Sequence, residues 1–382
     1  MVFRRRPLLR VVSATLAVVL AGTTAGLACP FCGTVAEPLA WRRDDAEVVC
    51  IAEAEGPARP DAAGLLEAPF RVLQPLPAWD GTVGEVPPGI VARVTAPVVG
   101  TALVFGSGDT PRRYRAVAAD ETLIAHVMTA PGSGVPAAER LAWYAPRLEH
   151  PDAAIAEDAF AEFALAPYAD VRAAAAALAA RPLDAWLADP GIDQRRRGFY
   201  GLALGIAAAA GLPERQPFTS APLRAALATA AGDFRGGADG LMGGILVADG
   251  AEGLEWLVSR TGPDRPVDQR QLLAALRFAH ESLADTIPAS AVVAATTRLA
   301  EGVAVAADAI VDLARYGAWD AMETVADWWD RADDDPLLRR AVVGYLLACP
   351  LPGAAERLAR LERDDPDGFA RAKAAALLPL AP

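Results

Sequence analysis

At Pro131-Gly132-Ser133-Gly134-Val135-Pro136 the composition and the hydrophobic pattern of this sequence change. On its N-terminal side, short apolar runs alternate with clusters of Pro and Gly, a pattern typical of β-strands joined by turns. On its C-terminal side, alanine-rich segments of helical length are separated by Pro, Asp and Gly. We therefore expect an α+β protein in which a small β-rich domain is joined to a helical domain by a linker over residues 131–136.

Five strand-like runs precede the linker. They cover residues 48–52, 70–73, 90–94, 102–105 and 123–127, with turn residues between them. Five short strands separated by turns suit a small barrel or sandwich. We expect an OB-like barrel within a domain that spans residues 29–130.

Paired helices are predicted after the linker. Residues 139–148 and 153–165 predict two helices joined by a His-Pro-Asp turn, and residues 321–329 predict another. Asp333-Asp334-Asp335-Pro336 is expected to cap the next helix, which is predicted over 337–347. Pairs of this kind are typical of HEAT-like repeats, in which each pair buries its face against the next. We expect an α-solenoid over residues 137–382. The alternative is an irregular helical domain, because no strict period recurs.

Residues 1–28 have the pattern of an export signal. Arginines at positions 4, 5, 6 and 10 precede an apolar run over 11–28, and the small residue Ala28 suits cleavage. We expect export to the periplasm, the cell envelope or the medium, with general secretion favoured over the twin-arginine route. Cleavage alone is favoured over a lipid anchor at Cys29. No later apolar run reaches the ~18 residues of a membrane span, so none is expected in the mature chain.

The mature chain would begin with Cys29-Pro30-Phe31-Cys32, a CxxC motif. Its local residues match those of thiol–disulfide oxidoreductases, in which a helix N-terminus activates the first thiol. In that fold a strand precedes the motif and a long helix follows it, whereas here the removable signal precedes it and Pro38 follows. A structural disulfide is therefore favoured. Cys50 is near enough in sequence to bridge back to this pair, which leaves the pairing open, and Cys349 is expected to be a buried thiol.

Asp158 and Glu162 form the most unusual polar pair in the sequence. They lie at i and i+4 on the edge of an otherwise apolar helix face. Like charges at this spacing destabilise a helix by about 0.2–0.5 kcal/mol unless a cation lies between them. Arg147, Arg172 or the cluster 195–197 could supply that cation, and we expect a salt bridge between repeats.

Motifs for metals and cofactors are lacking. The three histidines at 126, 150 and 280 stand apart, and no HExxH motif, zinc-type Cys/His spacing, P-loop or G-x-S-x-G elbow occurs. We expect no metal, no cofactor and a surface or capping role for each histidine.

The net charge of −12 excludes nucleic acid as an expected partner, because phosphate binding needs a basic surface. Hydrophobic residues make up 53% of the chain, which is a folding composition.

Residues 29–210 resemble a family of exported bacterial proteins of unknown function. The resemblance is carried by the CPFC motif after a signal, by the run from Asp158 to Val171 and by Gly198-Phe199-Tyr200-Gly201-Leu202-Ala203-Leu204-Gly205. It implies export, a small β domain and HEAT-like helices. It implies no activity and brings no catalytic residues.

These observations predict an exported, non-enzymatic protein whose helical surface binds a protein partner. Solenoids present long curved faces, and no set of titratable residues in the sequence has the pattern of an active site. The enzymatic alternative is an envelope thiol–disulfide protein that uses Cys29 and Cys32. A third reading is a secreted inhibitor-like module in which an N-terminal disulfide braces the barrel.

Overall fold

The computed structural model describes residues 29–108, 112–211, 218–229, 236–262, 265–332 and 335–378. The predicted export signal, residues 1–28, lies outside the described residues. The α+β class is confirmed, since a small closed barrel of five strands is followed by a helical region.

Six strands form one sheet. They are β1 (Val48–Ala54), β2 (Arg59–Pro60), β3 (Leu66–Leu76), β4 (Gly89–Arg93), β5 (Thr101–Ser107) and β6 (Arg113–Ala118). The sheet closes because β1 pairs with both β5 and β3, giving the ring β1-β5-β6-β4-β3. The β4–β6 pair is parallel and the other pairs are antiparallel, while β2 only extends the edge of β3.

The helices of the described residues are distributed as follows. One precedes the barrel, α1 (Leu39–Asp44). Those after it are α2 (Glu121–Thr129), α3 (Ala137–Tyr144), α4 (Ala153–Leu165), α5 (Tyr168–Ala173), α6 (Ala175–Ala179), α7 (Leu183–Ala188), α8 (Gln194–Ala209), α9 (Ala221–Thr229), α10 (Ala238–Arg260), α11 (Pro266–Ser282), α12 (Ala289–Ala300), α13 (Ala306–Arg315), α14 (Met322–Ala326), α15 (Trp328–Arg331), α16 (Pro336–Ala348), α17 (Pro352–Asp364) and α18 (Pro366–Leu377). Short 3-10 turns cover Ala145–Arg147 and Trp319–Ala321.

The barrel interior is narrow and is filled by small side chains around one large ring. Alanines at 52, 68, 92, 102 and 116 pack around Phe70, with Cys50 and Val104 also inside. Side chains fill the interior of a barrel of this size and leave no channel. A β-bulge between Ile51 and Ala52 interrupts the β1–β3 register where the sheet closes. Bulges increase local twist, which helps a short sheet to close.

The outer face of β5 is covered by helices. Leu103 and Phe105 point away from the barrel interior and pack with Leu39 of α1, Leu123 of α2 and Ile155 of α4. Strand β5 is therefore buried on both faces, which explains its uninterrupted apolar run. This layer joins the barrel to the helical region.

Four of the five predicted strands are confirmed, and the fifth is wrong. Residues 123–127 lie in α2, where the Asp120 side chain caps the helix by accepting the Leu123 N–H at 2.8 Å. The fifth strand of the barrel is β6, whose apolar positions alternate with arginines. The two arginines at the start of β6 interrupt its apolar residues, so the sequence signal for this strand is weak.

Helix α4 has the predicted bounds, and the Asp152 side chain caps it by accepting the Ala154 N–H at 2.8 Å. Asp335 caps α16 in the same way, as predicted, accepting the Leu337 N–H at 2.9 Å. The single helix predicted over 321–329 is wrong, because the chain there forms a 3-10 turn and then the separate helices α14 and α15.

Helices α8 and α10 run parallel and touch through glycines. A Cβ on Gly240 would lie 2.1 Å from the Gly198 carbonyl oxygen, and one on Gly244 would lie 2.1 Å from that of Gly201. These neighbours are backbone atoms that cannot move aside, so the close approach requires glycine. The interface places the two helix backbones side by side at the centre of the helical core.

The two ends of the stretch 29–130 contact the helical region. Cys29, Phe31 and Cys32 belong to the hydrophobic core of the helical region, and the stretch ends in α2. Within the described residues, no helix has both the length and the apolar character needed to span a membrane.

Candidate functional site

The CxxC motif forms a disulfide-closed turn. Cys29 and Cys32 are joined by a disulfide, and the Cys29 N–H donates to the carbonyl oxygen of Ala164 at the end of α4, at 2.9 Å. Only 8% of Cys29 and none of Cys32 is exposed. The turn is thus tied to a helix and closed off from solvent.

Phe31, at the tip of the turn, occupies a recess between α8, α10 and α11. Its ring lies 5.3 Å from that of Phe278, edge to face, and a Cβ on Gly243 would lie 2.6 Å from its Cε2 atom. The Phe31 carbonyl oxygen would lie 3.0 Å from a Cβ on Gly198. The recess therefore exists because two helices carry glycine where the turn enters. Gly240 and Gly244 supply the close helix contact, and Gly243 supplies this recess.

The other two cysteines are separate from this turn. Cys50 is a free, buried thiol inside the barrel, so the bridge from Cys50 back to the N-terminal pair is not formed. Burial raises the pKa of the Cys50 thiol to about 11, which keeps it protonated and unreactive near neutral pH. Cys349 is also free and buried, as predicted.

Asp158 connects three helices by hydrogen bonds. Its Oδ1 accepts the Leu39 N–H at the start of α1 at 2.6 Å, and its Oδ2 lies 2.8 Å from His126 Nε2 on α2. The Asp158 and His126 side chains are only 2% and 3% exposed. An aspartate–histidine pair can serve in general-base chemistry, but substrate has no access to this one.

Glu162, one turn further along α4, pairs with Arg140 of α3. The Arg140 Nε donates to Glu162 Oε2 at 2.9 Å, and Arg140 Nη1 donates to the Val135 carbonyl oxygen at 3.1 Å. Burial raises the pKa of Glu162 to about 7, while the Arg140 charge opposes that rise. Burial and the neighbouring carboxylates also raise the pKa of Tyr144.

Arg43 completes this buried network, and nothing in the sequence reasoning identified it. It is 2% exposed and donates to the carbonyl oxygens of Val127 and Ala130, at 2.6 and 2.8 Å. Its guanidinium pairs with Asp44 at 2.7 Å and lies 4.7 Å from the Trp79 ring centre. Arg43 therefore ties α1 to the last turn of α2 and to the loop after β3.

The predicted cations for Asp158 and Glu162 are not the ones present. Arg140 pairs with Glu162 and the His126 ring bonds Asp158, whereas Arg172 is exposed, with its guanidinium 6.0 Å from the Tyr168 ring centre. Arg147 bonds the Trp143 carbonyl, and Arg196 pairs with Glu149 and Glu157. Helical periodicity predicted that the two carboxylates share an edge, but it could not identify partners that are distant in sequence.

The histidines differ from expectation in one case. His126 is buried in the network, whereas His150 Nδ1 accepts the Asp152 N–H at 3.0 Å beside the cap of α4. His280 stacks on the Tyr316 ring with centroids 4.0 Å apart. Across the part of the chain that the structure describes, no three His, Cys, Asp or Glu side chains are grouped as a metal site would need.

Comparisons with family models, curated proteins and solved structures found no match for this chain. The geometry itself is therefore the basis for a function. Segment 29–44 runs along α4, with Cys29 tied near its C-terminal end and Leu39 tied to Asp158. The buried polar groups and the disulfide fix this segment to the helical region.

Proposed function

We propose that this chain is an exported, non-enzymatic scaffold whose helical surface binds a protein partner. The observation that carries the proposal is the burial of the chemistry-bearing groups. Asp158, His126, Glu162, Arg140 and the Cys29–Cys32 disulfide are all buried, and each contacts structural neighbours. Groups used in this way hold segments together, which leaves the surface as the functional part of the molecule.

The arrangement of helices supports an α-solenoid. Helices pack in succession along the chain, α8 on α10, α10 on α11, α13 on α16 and α16 on α18. Parallel packing of α8 on α10 is what equivalent helices of neighbouring repeats adopt. The barrel has the closed, partly parallel strand order found in OB-type barrels, which supports the OB-like description.

The thiol–disulfide alternative is disfavoured because an attacking thiolate cannot reach either sulfur of the pair in the folded chain. Disulfide exchange requires a thiolate to reach one sulfur of the pair, and both cysteines are buried under the helical region. The inhibitor-like alternative, in which the disulfide braces the barrel, is also disfavoured, because the turn packs among α4, α8, α10 and α11.

Export is part of the proposal and rests on the sequence of residues 1–28. A lipid anchor would need the Cys29 sulfur, which is used in the disulfide with Cys32. We therefore favour cleavage after Ala28 without lipid. The intact mass of the exported protein, measured with and without reduction, tests this point, and a mass increment of acyl chains would refute it.

Site-specific photo-crosslinking tests the scaffold directly. A crosslinking amino acid is placed at Val303 or Leu337, which are 74% and 66% exposed on the helical region. The matched control position is Val99, 92% exposed on the barrel. In cells that export the full chain, we expect one discrete adduct from the helical positions and none from Val99.

The opposite outcome refutes the scaffold. If the helical positions give no adduct while the purified, folded protein oxidises a dithiol substrate or reduces a disulfide substrate, the thiol–disulfide function is correct. The substrate assay uses a Cys29→Ser/Cys32→Ser chain as its control.

A further inference from the structure

A cavity of about 360 Å³ lies between the outer face of the barrel and α1. Four arginines line it, at positions 42, 93, 113 and 115, facing two carboxylates, Glu37 and Asp45. The chain as a whole carries a net charge of −12, so this basic cavity has the opposite sign to the protein. Junctions between structural units are common places for ligand sites, and this volume is in the range of small-molecule pockets.

The sheet register brings the arginines together. Arg93 on β4 and Arg115 on β6 are register partners in the parallel β4–β6 pair. Like charges directly opposite each other on neighbouring strands destabilise a sheet. Burial lowers the pKa of Arg42 on α1, Glu37 opposes that effect, and the positive charge of Arg115 adds to the lowering. Arg93 and Arg115 are exposed, Arg42 is largely buried, and all three line the same cavity.

Compensation for these charges is weak within the described part of the chain. Arg113 and Arg115 have no carboxylate within 4.0 Å there, and Arg93 has only Asp61 and Glu67, both at 3.7 Å. Arg42 is 16% exposed, and its Nε lies 3.7 Å from Glu37 Oε2, beyond hydrogen-bond distance. Elsewhere in the helical region, buried arginines such as Arg140 have a carboxylate at 2.9 Å.

We propose that this cavity binds a small multivalent oxyanion, held between Arg42, Arg93 and Arg115. Guanidinium groups present paired N–H donors that match the two oxygens of a carboxylate or the oxygens of a phosphate. An anion placed here would be attracted by three guanidinium groups, two of which, on Arg93 and Arg115, are open to solvent. The ligand chemistry is shared by polycarboxylates and phosphates. The site does not depend on whether the helical surface binds a partner.

Calorimetric titration of the mature chain, residues 29–382, with citrate and with pyrophosphate tests the proposal. Chloride at matched ionic strength is the reference, since it reports general screening alone. We expect saturable binding of at least one of the two anions, and the better one identifies the source as a carboxylate or a phosphate. Arg115→Gln should weaken that binding by about 10-fold to 100-fold, the loss expected for a charge-assisted hydrogen bond.

Arg298→Gln is the matched control, because Arg298 is exposed on α12 and its loss changes the net charge equally. It should leave the affinity unchanged. In the absence of anion, Arg115→Gln should unfold at the same temperature as the unmodified chain or at a higher one, since it removes a like-charge contact. If Arg115→Gln fails to fold, Arg93→Gln is measured in its place.

Three results overturn the proposal. The first is that citrate and pyrophosphate have no effect beyond that of chloride. The second is that Arg298→Gln and Arg115→Gln weaken binding equally. The third is that the Arg115→Gln chain binds as tightly as the unmodified chain. None of these results bears on the crosslinking experiment at Val303 and Leu337.

Discussion

Adding one methyl group at Gly243 should be harmful only while Phe31 fills its recess. In the folded chain a Cβ on Gly243 would lie 2.6 and 2.7 Å from Phe31 Cε2 and Cζ, closer than such atoms approach. The three nearest neighbours of that Cβ all belong to the Phe31 ring. Gly243→Ala and Phe31→Ala should therefore be strongly coupled.

The magnitudes follow from opposing effects. Alanine in place of glycine inside a helix stabilises by about 1 kcal/mol, whereas overpacking a core costs about 1–3 kcal/mol. Gly243→Ala alone should thus be neutral or destabilising. Phe31→Ala, which empties a site that is 5% exposed, should cost about 3–5 kcal/mol. In the Phe31→Ala chain the clash is gone, so Gly243→Ala should stabilise by up to about 1 kcal/mol.

Urea unfolding of the four chains, followed by far-UV circular dichroism, measures this coupling. We expect a favourable interaction energy of about 1–3 kcal/mol between the two substitutions. Gly344→Ala in α16 is the control, because its Cβ would meet only Ala376 Cβ at 3.8 Å, an ordinary contact. It should have the same effect with and without Phe31. If Gly243→Ala changes the free energy of unfolding equally in the unmodified chain and in the Phe31→Ala chain, the packing of Phe31 against α10 is refuted.

Three further outcomes concern the buried network and the helix interface. The pKa of Glu162 is raised to about 7 from its usual 4.5, so the folded state holds a proton that the unfolded state has lost. Ionisation of Glu162 therefore lowers the free energy of unfolding as the pH rises from about 4.5 to 7, by an amount on the order of 3 kcal/mol. Glu162→Gln should abolish this decrease when urea unfolding is measured across that pH range. Arg140→Gln should raise the pKa of Glu162 further, so that Glu162 takes up a proton near neutral pH and the cost is the lost Arg140 hydrogen bonds, about 1–3 kcal/mol. The exposed Arg172→Gln should stay within about 0.5 kcal/mol, and equal costs would contradict the network. Gly240→Ala should lower the thermal midpoint markedly, since its Cβ would meet the Gly198 backbone, and an unchanged midpoint would contradict the close α8–α10 contact.

Periodic apolar segments with caps could be predicted from the sequence. Helices α4 and α16 begin at Asp152 and Asp335 because these side chains bond the first free N–H groups, a local interaction written in consecutive residues. Strands β1 and β5 likewise follow from runs of apolar residues bounded by turns. Each of these predictions depends only on neighbours in the chain.

Features set by distant contacts could not be predicted. Residues 123–127 have the composition of a strand, but Asp120 caps them as a helix that packs on the barrel. The charged strand β6 is recruited by pairing with β5 and β4 on either side. Such pairing overrides the local preference of a segment.

The candidate site shows the same division. Periodicity placed Asp158 and Glu162 on one helix edge, but their partners Leu39, His126 and Arg140 are separated from them by 119, 32 and 22 residues. Only the folded chain brings these groups together. The CxxC motif is the converse case, since its sequence is that of a reactive thiol pair while its surroundings bury both sulfurs.

Access to the Cys29–Cys32 disulfide in the folded protein tests the structural role of the N-terminal turn most directly. The mature chain is treated with a phosphine reductant and an alkylating agent in native buffer and, in parallel, in denaturant, and the intact mass is then measured. We predict no alkylation of Cys29 or Cys32 in native buffer and complete alkylation in denaturant, because reduction must await unfolding. Rapid alkylation of both cysteines while the circular dichroism spectrum stays native would contradict the buried brace and favour a redox function.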